Sequence, residues 1–132
     1  MKLENYELHL PSYSVGKEVY NQIGKICKPY GTKVLVIGGK KALSAAFDKI
    51  SKNAADGRLD IIGKEIYGTD CTYEAVERLA ALTSFQEADM VFAVGGGKAI
   101  DTCKCLCIEC EKPVFTFPTI ASNCAACTSV SI

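Results

Sequence analysis

Short apolar runs that alternate with helical patterns constrain the fold of this chain more than any other feature of its sequence. The runs are rich in β-branched residues, have the length of buried strands and occupy 33–37, 59–67, 90–94 and 114–117. The segments with the apolar spacing of helices are 18–28, 41–54, 72–82 and 98–110. This alternation predicts right-handed crossovers and an α/β fold, in which helices cover both faces of a Rossmann-like, mainly parallel sheet. Ligands of such sheets bind beyond the carboxyl ends of the strands.

The length and charge of the chain limit its class of function. Its 132 residues suit one domain, 1–132, which no linker or internal repeat divides. The 15 basic and 15 acidic residues balance, whereas nucleic-acid-binding proteins usually carry a basic excess on one face. No apolar run reaches the length of a membrane span, and no signal peptide is evident. We therefore expect a cytoplasmic protein whose partner is neither a nucleic acid nor a membrane.

Three consecutive glycines, Gly95–Gly97, follow the third predicted strand and lead directly into a helix. Glycine lets backbone N–H groups approach an anion, and the start of a helix adds unpaired donors and the positive end of its dipole. Lys98 could add a charge, so the segment suits a pyrophosphate. A plain strand-to-helix turn is the alternative, but three glycines cost more backbone entropy than such a turn requires. The ligand stays open, because Ala99 does not fit the Walker pattern and Ile100 does not fit the Rossmann fingerprint.

A segment rich in hydroxyl groups and small side chains, 118–132, follows the last predicted strand. In a parallel sheet it would lie beside the glycine turn, at the same carboxyl edge. Thr119 and Ser122 could then contact a phosphate, a ribose or a carboxamide. Residues of this type after a proline are more often turn and capping residues, and the residues alone favour that second interpretation.

Cysteine occurs eight times, mostly in the last third of the chain. The six cysteines of that third are Cys103, Cys105, Cys107, Cys110, Cys124 and Cys127. Two pairs have Cys-x-x-Cys spacing, which is compatible with a zinc or iron–sulfur site. The first four fall in a predicted helix, where 103, 107 and 110 share one face, as small core-lining residues would. We therefore expect packed, reduced thiols, and we expect the lone histidine, His9, to be an exposed strand residue rather than a ligand.

Three motifs in a fixed order carry a resemblance to a known family. They are Gly95-Gly-Gly-Lys-Ala-Ile-Asp-Thr-Cys-Lys104, Lys112-Pro-Val and Pro118-Thr-Ile-Ala-Ser122. Their order and spacing resemble the iron-containing alcohol dehydrogenase superfamily, and its glycerol dehydrogenase branch in particular. The resemblance implies a dehydroquinate synthase-like N-terminal domain that binds NAD, in an enzyme that oxidises a small polyol or alcohol. It also implies that a helical second domain, outside these residues, holds zinc or iron, that residues 1–132 alone are inactive, and that the full-length protein is a homo-oligomer.

The same resemblance assigns roles to individual residues. It places the dinucleotide on Gly95, Gly96, Gly97, Lys98, Asp101, Thr119, Ser122, Thr128 and Val130. It assigns no catalytic residue and no metal ligand to this chain. Gly39 replaces the aspartate that meets the adenosine ribose in the family, which leaves NADP open as the cofactor. Cys124 occupies the position of an aspartate that reaches the substrate, which leaves the substrate open.

A second class of function also fits the residues. The chain could be a non-catalytic module, either a free-standing nucleotide-binding domain or a cysteine-based metal-binding protein. Stoichiometric metal on the purified chain would favour the metal-binding module, whereas protection by a dinucleotide without metal would favour the dehydrogenase domain.

Overall fold

The computed structural model describes residues 13–14, 22–118 and 128–129. Their elements are β1 (Tyr13–Ser14), α1 (Ile23–Cys27), a 3-10 turn (Lys28–Tyr30), β2 (Lys33–Gly38), α2 (Lys40–Asp56), β3 (Asp60–Ile66), α3 (Tyr73–Ala80), α4 (Thr83–Glu87), β4 (Met90–Gly95), α5 (Gly97–Cys110), β5 (Val114–Pro118) and β6 (Thr128–Ser129). No helix within these ranges is both long enough and apolar enough to cross a membrane.

Four strands form a parallel sheet in the order β3-β2-β4-β5. The central pair, β2 and β4, is buried along almost its whole length, as its apolar composition predicts. The predicted α/β fold with a parallel sheet is therefore confirmed. A separate antiparallel pair joins β1 to β6, with Tyr13 opposite Ser129, and the sequence does not predict this pair.

Helices cover both faces of the sheet, also as predicted. Because successive residues of a strand point to opposite faces, Val34 and Val36 pack against α1 and α2. Leu35 and Ile37, which alternate with them, pack against the other face, beneath α3, α4 and α5. A shift of the β2 register by one residue would exchange the two sets, so this alternation fixes which helix covers which face.

The predicted bounds agree with the structure to within two residues for β2, α2, β3, β4, α5 and β5. The predicted helix 72–82 corresponds to α3, which starts one residue later and ends two residues earlier, and Leu82 is extended. The extended backbone at Leu82 separates α3 from α4, so α4 starts in a new direction and its Phe85 is buried. Of the predicted helix 18–28, the structure describes α1 and the 3-10 turn, while 15–21 lie outside the described residues.

Asp89, directly before β4, ties the two central strands together. Its carboxylate accepts hydrogen bonds from the backbone N–H groups of Lys33, at 3.0 Å, and Thr32, at 2.9 Å. These two hydrogen bonds hold the pKa of Asp89 below its usual range. The amino ends of β2 and β4 are therefore fixed by one side chain, and their carboxyl ends meet at glycine turns.

Candidate functional site

The strand order places the switch point of the sheet, where open α/β sheets have a crevice, between the carboxyl ends of β2 and β4. The chain leaves β2 into α2 on one face of the sheet, and it leaves β4 into α5 on the other face. Where connections diverge in this way, ligands of open α/β sheets bind in the crevice between them. Two turns border this crevice, Gly38–Gly39 and Gly95–Gly97.

These two glycine turns contact each other through the backbone. The N–H of Gly39 donates to the carbonyl oxygen of Val94 at 3.3 Å. A Cβ at Gly38 would collide with the same carbonyl oxygen, and a Cβ at Gly95 would lie 3.1 Å from the Cβ of Ala99. Gly95 also has a φ of +143°, which favours glycine. The floor of the crevice is therefore main chain; packing requires glycine at position 38, and the positive φ favours glycine at position 95.

Gly97 differs, because neither its backbone conformation nor its neighbours require glycine. Its φ is not among the positive ones, and a Cβ there would meet no described atom within 4 Å. Gly96 is the N-cap of α5, with extended backbone and no side-chain capping hydrogen bond. The first helical N–H groups, at positions 97 to 99, have no partner within the helix. The open space in front of them therefore suits an anion that accepts several backbone hydrogen bonds.

Lys98 lies at the edge of this space and forms an ion pair with Asp70. The Nζ atom lies 2.8 Å from Oδ1 of Asp70, and the two side chains are 66% and 60% exposed. The hydrogen bond that Lys98 donates to Asp70, followed by the negative charge of Asp70, raises the pKa of Lys98, which stays protonated at neutral pH. Asp70 belongs to no motif that the sequence predicts. The sequence signal that could have indicated Asp70 is its place a few residues after β3, because β3 ends at the same edge of the sheet as β4.

Asp101 lies one turn further along α5 and is exposed. The next residue, Thr102, is fully buried, and its hydroxyl donates to the carbonyl oxygen of Lys98 at 2.7 Å. Asp101 is therefore on the helix that begins at the glycine turn, with its side chain open to solvent. Its role in binding a dinucleotide stays a prediction.

The remaining predicted site residues follow β5 in the chain. Four of them lie outside the described residues, as does His9: Thr119, Ser122, Cys124 and Val130. Thr128 is in β6, whose backbone alone is described. The end of β5 is described, and Pro118 pairs with Gly95. The chain therefore enters the hydroxyl-rich segment beside the glycine turn, where the sequence predicts it.

The cysteines on α5 differ in burial, and burial raises the pKa of their thiols. Cys103 and Cys107 are buried, and desolvation raises the pKa of both thiols, that of Cys107 to about 12. Cys110, predicted on the same core-lining face, is exposed, because the helix ends there and Glu111 adopts the left-handed conformation. Within the described ranges, no three His, Cys, Asp or Glu side chains are placed to hold a metal ion. The burial of Cys103 and Cys107 supports packed thiols at these two positions, while Cys124 and Cys127 lie outside the described residues.

The cysteines should differ widely in their reactivity. We expect N-ethylmaleimide to modify Cys71 and Cys110 at least 100-fold faster than Cys103 and Cys107 at pH 8, because a thiol with a pKa near 12 is ionised in only about one molecule in 10⁴. Mass spectrometry of peptides taken at successive times measures each rate, and a urea-unfolded sample provides the control. Equal rates at Cys71 and Cys103 in the native chain would contradict the packed-thiol interpretation.

Comparison with known sequences gives matches along most of the chain. A family model described as iron-containing alcohol dehydrogenase matches residues 11–132. A glycerol dehydrogenase from Escherichia coli O6:H1 is 32% identical over 120 residues, which cover 91% of this chain and 32% of that protein. A glycerol dehydrogenase from Pseudomonas putida is 31% identical over 122 residues, which cover 91% and 33%. The chain spans about a third of the length of these relatives.

Solved structures give matching folds. A probable glycerol dehydrogenase from Sinorhizobium meliloti superposes with a TM-score of 0.60 at 30% identity, over 82% of this chain and 28% of that one. An alcohol dehydrogenase from Oenococcus oeni superposes with a TM-score of 0.74 at 18% identity, over 88% and 36%. The second likeness shows the fold alone.

Proposed function

Since the chain belongs to the iron-containing alcohol dehydrogenase family, we propose that it is the dinucleotide-binding part of a polyol or alcohol dehydrogenase. One observation carries the proposal: no described side chain caps or covers the start of α5, which lies beside the β2–β4 crevice. Among the described residues nothing packs against a Cβ at Gly97, and its φ does not require glycine, so access to the backbone N–H groups accounts for its missing side chain. The proposed ligand is NAD(H), with NADP(H) as the alternative because Gly39 provides no carboxylate for the ribose.

We propose that different residues bind different parts of the dinucleotide. The N–H groups at the start of α5 hold the diphosphate, and the charge of Lys98 supports them. Thr119 and Ser122, from the segment after β5, contact the nicotinamide side. A bound nicotinamide would supply the hydride acceptor for the alcohol carbon, and the residues of this chain would bind and orient it.

The metal expected in this family has no donor set among the described residues. We therefore assign no step of the reaction to a metal held by the described residues. We propose that residues 1–132 alone do not catalyse the oxidation of an alcohol. Oxidation of a polyol or alcohol, with a position for the substrate near Cys124, is proposed for the whole protein. A cytoplasmic location and a homo-oligomeric full-length protein are parts of the same proposal.

Titration of the ¹⁵N-labelled chain with ADP-ribose and NADH tests the binding of the dinucleotide. We expect amide shifts concentrated at Gly95–Asp101, with a dissociation constant of roughly 0.1–1 mM, because only a few polar contacts offset the loss of ligand freedom. Inorganic phosphate should reproduce part of the pattern. Adenosine, which lacks phosphate, is the control and should leave Gly97 and Lys98 unshifted. If neither ADP-ribose nor NADH moved the amides of 95–101 at millimolar concentration, the proposed function would be wrong.

A further inference from the structure

Lys98 carries its charge at the end of α5 where a cation is least favourable. It is the second residue of the helix, so its charge and the positive end of the helix dipole repel each other. Side chains of a helix lean toward its start, which directs the ammonium group toward the glycine turn. Asp70 offsets that charge through the 2.8 Å ion pair. Because both side chains are mostly exposed, the pair adds little to the stability of the fold.

The loop that carries Asp70 is held independently of this ion pair. The N–H of Tyr67 donates to the carbonyl oxygen of Gly38, on the floor of the crevice, at 3.0 Å. Arg78 donates to the carbonyl oxygen of Tyr67, also at 3.0 Å. Beyond the loop, the hydroxyl of Thr72 caps α3. The carboxylate of Asp70 is thus kept at the rim of the crevice by contacts on both sides of it.

We propose that Asp70 competes with the diphosphate of the dinucleotide for Lys98, and that it thereby sets the affinity of the crevice for its ligand. The inference rests on the proposed function, because it takes the diphosphate to bind at the start of α5. An incoming diphosphate has the same sign of charge as Asp70 and meets a lysine whose charge is already balanced. On binding, Lys98 exchanges the carboxylate for a phosphate oxygen, and Asp70 is left close to the ligand without its cation.

The substitution Asp70→Asn removes the charge and keeps the size of the side chain. We expect the dissociation constant of ADP-ribose for the full 132-residue chain to fall about three- to tenfold in about 10 mM salt, because like charges a few ångströms apart at a protein surface repel each other appreciably. The gain should shrink in about 1 M salt, where charges are screened within about 3 Å. Calorimetric titration measures both affinities. Asp70→Ser provides a second neutral variant, and melting temperatures confirm that each variant folds.

A double-mutant cycle with Lys98→Met separates competition from simple repulsion. If Asp70 acts through the lysine, Asp70→Asn improves affinity several-fold more when Lys98 is present than when methionine replaces it. The matched control is Asp56→Asn, which breaks the exposed ion pair between Asp56 and Lys52 at the far end of α2. That control should leave the affinity for ADP-ribose unchanged.

The outcomes distinguish this inference from the function on which it rests. If the parent chain binds ADP-ribose and Asp70→Asn binds it equally or more weakly, the competition is overturned and the proposed function stands. Weaker binding would mean that Asp70 positions Lys98 for the ligand. An equal gain with and without Lys98 also overturns it. If the parent chain and all variants failed to bind ADP-ribose, the proposed function and the inference would fall together.

Discussion

A valine at position 97 is expected to weaken the binding of ADP-ribose at least tenfold while leaving the melting temperature of the chain nearly unchanged. A Cβ at this position meets no described atom within 4 Å, so the described part of the fold leaves room for a side chain to start there. The added methyl groups would occupy the space in front of the first N–H groups of α5, where the diphosphate is proposed to bind. A tenfold loss of affinity corresponds to about 1.4 kcal/mol, which calorimetry resolves easily.

Gly95→Val is the matched comparison, two residues earlier in the same turn. Gly95 has a φ of +143°, and a Cβ there lies 3.1 Å from the Cβ of Ala99. We therefore expect this variant to lose about 1–3 kcal/mol of stability, which lowers the melting temperature by roughly 4–12 °C. If Gly97→Val destabilised the chain as much as Gly95→Val, or bound ADP-ribose normally, the start of α5 would not be the anion site.

An aspartate at position 39 is expected to change the ratio of NADH to NADPH affinity tenfold or more in favour of NADH. Gly39 is the N-cap of α2, with φ −80° and ψ 158°, a conformation open to any residue. A Cβ there would lie 3.7 Å from Cε1 of Tyr67, an ordinary contact. The carboxylate would accept hydrogen bonds from the ribose hydroxyls and repel the additional phosphate of NADPH.

Gly39→Asn controls for the helix cap. Asparagine and aspartate cap helices about equally well, so both variants should raise the melting temperature slightly. Only the aspartate carries the charge that rejects the phosphate, so the cofactor ratio should respond mainly to Gly39→Asp. Titration of both variants with NADH and NADPH measures the ratios. Identical ratios in the two variants would show that the adenosine ribose does not lie at the start of α2.

The central part of the fold is predictable because its signals are local. β2 and β4 are continuous apolar runs that end at glycines, and both predicted strands agree with the structure to within one residue. The start of α4 is different. It depends on the extended backbone of Leu82, which lets Phe85 reach the core, and that is a tertiary requirement which the spacing of apolar residues does not reveal. The two-residue strands β1 and β6 are too short for any pattern to indicate.

The candidate site likewise has residues that the local sequence predicts and one that it does not. The glycine turn and Lys98 are predictable because a strand, three glycines and a helix follow one another directly in the sequence. Asp70 comes from a different loop, and β2 lies between the strands that precede the two loops in the sheet. Only the folded chain brings Asp70 to Lys98, because strand order and the hydrogen bonds of Tyr67 determine where the loop lies. For Cys110 the local pattern misleads. Its helical spacing predicts a buried side chain, but the side chain is exposed because the helix ends there.

The contact between the turns at Gly38 and Gly95 restricts how such a protein could acquire a new ligand. Because that contact is made by main chain, point mutations at its two glycines damage the fold before they can alter recognition. Variation that changes the ligand and keeps the protein intact falls, among the described residues, on a rim that includes Gly39, Asp70, Gly97 and Lys98. A mutant library aimed at another phosphorylated cofactor would diversify this rim and keep the floor constant. Relatives that use different nucleotides should accordingly diverge at the rim while they share the floor.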